Sequence, residues 1–125
     1  MAWKILVADD EPCITSIVSK KLRNAGFEVL VAMDGQEAYD LAVAERPDVL
    51  VTDLQMPLMS GLELCARLAA ETDDPIPTLL LTAKGYELQD ENLDALPIRR
   101  VMTKPFSPRE LLKTVQEILD AAVPA

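Results

Sequence analysis

Short apolar runs alternate with longer segments of helical periodicity along this chain, and this alternation is the strongest constraint on its fold. The runs are rich in Leu, Ile and Val, as expected for strands that are covered on both faces. Alternation of this kind is typical of parallel strands joined by crossover helices. We therefore predict an α/β fold with five strands: Ile5–Ala8, Glu28–Ala32, Val49–Asp53, Thr78–Thr82 and Arg100–Thr103.

Capping residues and helix breakers mark the ends of the connecting helices. Ser60 and Ser107 each precede a Glu by three residues, a spacing in which the Ser side chain accepts a hydrogen bond from the first helical turn. We predict helix starts at both. The other predicted helices run from near Pro12 to before Gly26, from after Gly35 to before Pro47, and, as a short helix, over Tyr86–Leu96.

The helical period and the cysteine pattern also predict what is buried. The inner stripe of the first helix is predicted to be Ile14, Ile17, Val18 and Leu22. Cys13 and Cys65 stand alone, and the sequence has no CxxC motif and no histidine, so zinc sites and disulfide frameworks are not supported. Both thiols are predicted to be buried or half-buried.

Length and charge limit the classes of function. A chain of 125 residues predicts one domain over residues 1–125, although sequence alone leaves open whether it is a natural protein or a domain cut from a longer one. A net charge of −9 disfavours direct binding to nucleic acid or to anionic membranes. The N-terminal residues do not resemble a signal peptide and no apolar stretch is long enough for a membrane span, so a cytoplasmic location is predicted.

Polar side chains follow four of the predicted strands at the point where each strand ends. Asp9 and Asp10 follow the first strand, Asp53 ends the third, Thr82 ends the fourth, and Lys104 follows the fifth. Singly, each has an ordinary alternative as a helix cap, a turn residue or a solvated side chain. Together they are expected at one edge, because the functional crevice of a parallel sheet lies beyond the carboxyl ends of its strands.

Carboxylates that converge in this way need a positive counterion, since mutual repulsion otherwise raises their proton affinity. Mg²⁺ fits because it binds few protein carboxylates and keeps positions for water and phosphate oxygens. Asp53 is the best candidate for a nucleophile that accepts a phosphoryl group. Lys104, Thr82 and backbone amides near Leu54 and Gln55 are expected to neutralise the phosphoryl oxygens.

Four ordered motifs, ILVADDEP, VLVTDLQMPLMSGLEL, LLLTAKG and TKPFSPREL, make the chain resemble a CheY-like response-regulator receiver domain from Lys4 to about Ala121. The resemblance implies a doubly wound (βα)5 fold with the flavodoxin-like strand order 2-1-3-4-5. It implies phosphorylation by a sensor histidine kinase or phosphotransfer protein, signalling to a downstream protein, and no turnover of an external substrate.

The resemblance also assigns roles to individual residues. It implies Mg²⁺ ligands at Asp9, Asp10, Asp53 and the backbone carbonyl of Gln55, a phosphoacceptor at Asp53, a switch hydroxyl at Thr82, a phosphate-contacting Lys104, and a cis bond before Pro105. Val101 departs from the pattern, because relatives usually carry an aromatic residue there that rotates on activation.

Two other functions compete with this prediction. One is a pseudo-receiver, an interaction module whose binding does not depend on phosphate, and the change at Val101 gives it weight. The other is a phosphatase or phosphotransferase with an aspartyl nucleophile. That class normally needs an Asp-x-Asp pair after the first strand, a cap domain and a longer chain, and the sequence has none of these.

Overall fold

The computed structural model describes residues 3–83 and 96–122. Its elements are β1 (Lys4–Ala8), α1 (Pro12–Asn24), β2 (Glu28–Ala32), α2 (Gly35–Glu45), β3 (Val49–Asp53), α3 (Gly61–Ala70), β4 (Thr78–Thr82), β5 (Ile98–Thr103) and α4 (Pro108–Ala122). The predicted helix over Tyr86–Leu96 lies outside the described residues except at Leu96. No helix in the described ranges is both long and apolar enough to cross a membrane.

The five strands form one parallel sheet in the order β2-β1-β3-β4-β5. This confirms the predicted α/β fold and its strand order. Helices α1 and α4 cover one face of the sheet, and helices α2 and α3 cover the other. The carboxyl ends of all five strands therefore point to the same edge, and β1 and β3 lie side by side at its centre.

Side chains of the central strands alternate between two apolar clusters, as the period of a strand requires. In β1 and β3, Val7 and Val51 face the cluster beneath α1 and α4, while Leu6 and Leu50 face the cluster beneath α2 and α3. All four are fully buried. The apolar runs of the sequence thus become strands that are covered on both faces.

The strand boundaries agree with the prediction except at two ends. β1 begins one residue earlier, at Lys4, and β5 begins at Ile98 instead of Arg100. The pairing of β4 with β5 passes from Thr78–Ile98 to Leu79–Arg100, so Arg99 is an extra residue in a bulge. Sequence periodicity missed this start, because a bulge shifts the alternation of side chains.

Both predicted serine caps are present. Ser60 Oγ accepts a hydrogen bond from the Glu63 amide, and Ser107 Oγ accepts one from the Glu110 amide, each at 3.1 Å. These contacts satisfy backbone donors that an α-helix leaves open at its start. They also place the first turns of α3 and α4 directly after the loops that leave β3 and β5.

Two predictions about α1 were wrong. Ile17 is 52% exposed and Cys13 is exposed, whereas Cys65 on α3 is buried as predicted. The inner face of α1 takes Thr15 and Ser19 instead, whose hydroxyls donate to carbonyls of the preceding turn at 3.1 and 3.2 Å. A hydroxyl that is bonded within its own helix can be buried at little cost, and apolar counting does not anticipate this.

Candidate functional site

Three carboxylates meet at the carboxyl edge of the two central strands. Asp9 and Asp10 follow β1, and Asp53 ends the adjacent strand β3. One oxygen from each of the three lies within 4.8 Å of the others. Asp9 is fully buried and Asp53 is 7% exposed, while Asp10 is exposed. The structure therefore brings together the acidic residues that the strand ends predicted.

Lys104 reaches this cluster from the loop after β5. Its Nζ lies 2.9 Å from Asp9 Oδ2, 3.0 Å from Glu11 Oε1 and 3.3 Å from Asp53 Oδ1. Its backbone amide donates to the Thr82 carbonyl at 2.8 Å, which aligns the loop with the end of β4. The contact between Lys104 and Asp53 is the longest of the three ion pairs.

Burial and repulsion raise the pKa of Asp53 to about 6. Loss of hydration is the largest cause, and the negative charge of Asp9 adds to it, with a smaller contribution from Asp10. Lys104 opposes the shift by attraction and by hydrogen bonding. The positive charge of Lys104 therefore does not fully offset the burial and repulsion of the ionised Asp53 carboxylate.

Lys104 stays positively charged in this environment. Burial alone would lower its pKa, but hydrogen bonds to Asp9 and Glu11 and the charge of Asp53 outweigh burial, so the pKa is raised above its ordinary value. Its side chain is only 14% exposed. A side chain that keeps its positive charge thus lies beside Asp53.

A cleft of about 420 Å³ opens above Asp53. It is lined by Asp10, Glu11, Asp53, Leu54, Gln55, Met56, Pro57, Thr82, Ala83 and Lys104. Thr82 is fully buried at the end of β4, the strand next to β3, and Gln55 is exposed on the loop after β3. All of the predicted site residues except the fully buried Asp9 therefore line one opening.

The loop after β3 turns back sharply onto Asp53. A Cβ atom on Gly61 would lie 2.3 Å from the Asp53 carbonyl oxygen, far closer than any side chain tolerates. The Gly61 amide also donates to the Leu54 carbonyl at 2.8 Å. Only glycine permits this approach, and the contact fixes the backbone that carries Asp53.

Two of the predictions concern the backbone of the site. The Leu54 amide donates to the Leu81 carbonyl at 2.8 Å, so the sheet uses this donor and the cleft does not. The bond between Lys104 and Pro105 is cis, as the family resemblance implied.

Glu11 is a residue of the site that sequence reasoning did not assign. Its side chain binds Lys104, 93 positions away in the sequence. The available signal was its place directly after the acidic pair, at the N-cap of a helix that has Pro12 at its start. That signal does not distinguish a ligand of Lys104 from an ordinary acidic cap.

The donor set suits a hard divalent cation. Carboxylate oxygens are the ligands that Mg²⁺ prefers, and three of them from Asp9, Asp10 and Asp53 can face one point. A cation there would supply the positive charge that the raised pKa of Asp53 indicates is lacking. The residues present therefore fit a magnesium site.

The sequence profile of the family described as "Response regulator receiver domain" matches residues 5–116. The chain belongs to this family. The match confirms the resemblance that the four sequence motifs carried. Receiver domains are signalling modules of two-component systems, and aspartyl phosphate and magnesium are typical of them.

Individual relatives agree with this assignment. The chain is 40% identical over 119 residues to the alkaline phosphatase synthesis transcriptional regulatory protein PhoP of Bacillus subtilis. These residues are 95% of this chain but 49% of that protein, so the receiver chain spans about half the length of this relative.

Solved structures show the same fold. The chemotaxis response regulator CheY4 of Vibrio cholerae matches with a TM-score of 0.85 and 35% identity, over 95% of this chain and all of that one. The response regulator TrrA of Thermotoga maritima, solved in complex with Mg²⁺ and BeF, matches with a TM-score of 0.82 and 31% identity. That match covers 94% of this receiver chain and 99% of TrrA.

Proposed function

We propose that residues 1–125 form one phosphoacceptor receiver domain of a two-component response regulator, in which Asp53 accepts a phosphoryl group from a sensor histidine kinase or a phosphotransfer protein. The observation that carries the proposal is the convergence of three carboxylates and Lys104 at the end of β3, where a cleft opens over Asp53. Mg²⁺ would be held by Asp9, Asp10, Asp53 and the Gln55 carbonyl.

The contacts of Asp9 and Asp53 support different roles for the two residues. Asp9 is fully buried, and both of its oxygens are engaged, Oδ1 by the Glu11 amide at 3.0 Å and Oδ2 by Lys104 at 2.9 Å. Asp53 lines the cleft and has its nearest ion pair at 3.3 Å. Of these two carboxylates, Asp53 is therefore the one that a phosphodonor can reach.

The transfer forms one bond and breaks one. A carboxylate oxygen of Asp53 bonds to phosphorus while the bond from phosphorus to the donor's imidazole nitrogen breaks, and the electron pair stays on that nitrogen. Lys104 pairs with one phosphoryl oxygen, and the Thr82 hydroxyl donates to another. Mg²⁺ held by Asp9, Asp10 and Asp53 would supply positive charge that offsets the charge of the phosphoryl group.

The phosphoryl group then acts as a switch. It carries about 1.5 to 2 negative charges, against the single charge of the carboxylate that it replaces, and it places three acceptor oxygens beside Lys104 and Thr82. Thr82 ends β4, and Lys104 follows the neighbouring strand β5. A changed surface around residues 99–104 would select the downstream partner. No aromatic rotamer change would accompany it, because position 101 holds Val in place of the usual aromatic residue. The name of the Bacillus relative suggests an output that regulates transcription.

Intact-mass measurement with a small phosphodonor tests the proposal. With acetyl phosphate and Mg²⁺, the protein should gain one phosphate, and Asp53→Asn or removal of Mg²⁺ with a chelator should abolish the gain. Asp73→Asn makes the same chemical change at an exposed acid and should leave labelling intact.

The two competing functions predict other outcomes. An unmodified mass under saturating donor and Mg²⁺ would favour the phosphate-independent pseudo-receiver. Release of many phosphates per protein from a diffusible phosphoester would instead favour an enzyme with an aspartyl nucleophile.

A further inference from the structure

The ammonium group of Lys104 is saturated by carboxylates in this structure. A lysine has three N–H donors, and Asp9, Glu11 and Asp53 place three carboxylate oxygens between 2.9 and 3.3 Å from Nζ. A phosphoryl oxygen can therefore gain a strong contact with Lys104 only if one of these partners is replaced. The exchange is a requirement of the proposed phosphorylation of Asp53, on which the following inference rests.

The three partners differ in what their release would cost. Asp9 is fully buried, so loss of its cation would leave an uncompensated charge in the interior. The contact of Asp53 with Lys104 passes to the phosphoryl group that Asp53 then carries, so any further contact between Lys104 and that group requires the release of Asp9 or Glu11. The Glu11 side chain is 59% exposed, and water can replace its ion pair at small cost.

The backbone of Glu11 keeps its carboxylate within reach of Lys104. Its amide donates to Asp9 Oδ1 at 3.0 Å, and its carbonyl accepts from Ile14 and Thr15 in the first turn of α1. Its side chain makes no capping hydrogen bond, although Glu11 occupies the N-cap position. The carboxylate is thus positioned for Lys104 by its neighbours and has no part in starting the helix.

We propose that Glu11 is a positioning residue that holds Lys104 in the unphosphorylated protein and releases it to the phosphoryl group on Asp53. The Glu11–Lys104 contact stabilises the unphosphorylated state only, so it slows phosphorylation. Because the contact is given up when phosphate arrives, it leaves the lifetime of the phosphorylated state unchanged.

Phosphorylation kinetics of Glu11→Gln test this role. With acetyl phosphate and Mg²⁺, a phosphorus–oxygen bond to Asp53 forms while the bond to acetate breaks, and acetate leaves with the electron pair. We expect Glu11→Gln to be labelled about two- to fivefold faster than the wild-type protein, the range set by the strength of exposed ion pairs. The rate of phosphate loss after donor removal should stay the same.

Glu28→Gln is the matched control. Glu28 is exposed at the amino end of β2, opposite the site, and the substitution removes the same charge. Its labelling rate should equal that of the wild type. Equal acceleration in both variants would show a general charge effect and overturn the inference, as would slower or unchanged labelling of Glu11→Gln.

An NMR signal distinguishes loss of the Glu11–Lys104 contact from a general change in the electrostatic field of the cleft. The carbon NMR signal of the Lys104 ε-methylene should differ between wild type and Glu11→Gln in the free protein and coincide once Mg²⁺ and beryllofluoride are added. Different signals in the beryllofluoride state would show that the contact persists, which contradicts release. A wild-type protein that takes no phosphate would instead refute the proposed function.

Discussion

Strands β3 and β5 lead to the two principal charges of the site, but they differ strongly in burial and in strand pairing. All residues of β3 are buried, and the strand pairs with β1 on one side and β4 on the other. β5 lies at the edge of the sheet, pairs only with β4 among the described strands, and has a bulge and mostly exposed residues. Asp53 ends the first of these strands and Lys104 follows the second.

The difference places a firmly held Asp53 beside a less firmly held Lys104. The end of β3 is fixed by the sheet and by the close approach of Gly61 to Asp53. Lys104 is tied to the centre mainly by its ion pairs, and its strand has little buried surface to hold it. Elements with few buried contacts open and shift at lower free energy than core strands do.

Loss of Lys104 should have the largest effect on stability, because the charged site depends on this one cationic side chain. Without divalent cations at neutral pH, Lys104→Met should lower the free energy of unfolding by about 2–4 kcal/mol, since buried Asp9 then lacks its cation. Urea unfolding measures the loss, and Mg²⁺ should restore most of it. An unchanged free energy would mean that the carboxylates do not need Lys104.

The strands themselves can be compared with one substitution made in each. Val51→Ala in β3 should lower the free energy of unfolding by about 2–3 kcal/mol, because it removes fully buried methyl groups and leaves a cavity. Val101→Ala in β5 should change it by at most about 0.5 kcal/mol, since Val101 is 41% exposed. Similar losses measured by urea unfolding would remove the contrast between core and edge.

The raised pKa of Asp53 gives a prediction with a defined pH window. The pKa is about 6 in the folded protein against 3.8 ordinarily, so ionisation of Asp53 lowers the free energy of unfolding as the pH rises through 6. Without divalent cations, Asp53→Asn should therefore stabilise the protein by about 1–3 kcal/mol near pH 8.

The same gain should disappear as the pH falls below about 4, where Asp53 is protonated in both the folded and the unfolded protein. Thermal or urea unfolding across this range measures it, with the exposed Asp73→Asn as control. A gain that is independent of pH would show that burial and repulsion of the ionised Asp53 carboxylate are not its cause.

A small effect is also expected at the exposed ion pair between β5 and α4. Arg100 and Glu117 are 2.8 Å apart, as close as Lys104 and Asp9, but their side chains are 51% and 40% exposed. A double-mutant cycle with Arg100→Ala and Glu117→Ala should give a coupling below about 1 kcal/mol. A larger coupling would show that β5 is held to α4 as firmly as Lys104 is held to the core.

Sequence periodicity predicted much of the fold because its signals are local. The apolar runs located all five strands to within two residues, and the Ser-x-x-Glu pairs located two helix starts. The bulge at Arg99 and the inward hydroxyl residues of α1 were missed. Both arise where a backbone or side-chain hydrogen bond overrides the apolar pattern, which periodicity alone does not register.

The sequence by itself determined that acidic, hydroxyl and basic residues end neighbouring strands of a parallel sheet, because strand alternation and chain order are properties of the sequence. Only the tertiary structure decided which charged side chains contact each other. Lys104 contacts Asp9 across 95 positions and gives its third contact to Glu11, while the sheet uses the Leu54 amide. Electrostatic energies depend on distance and burial, and folding sets both of these between residues that are remote in the chain.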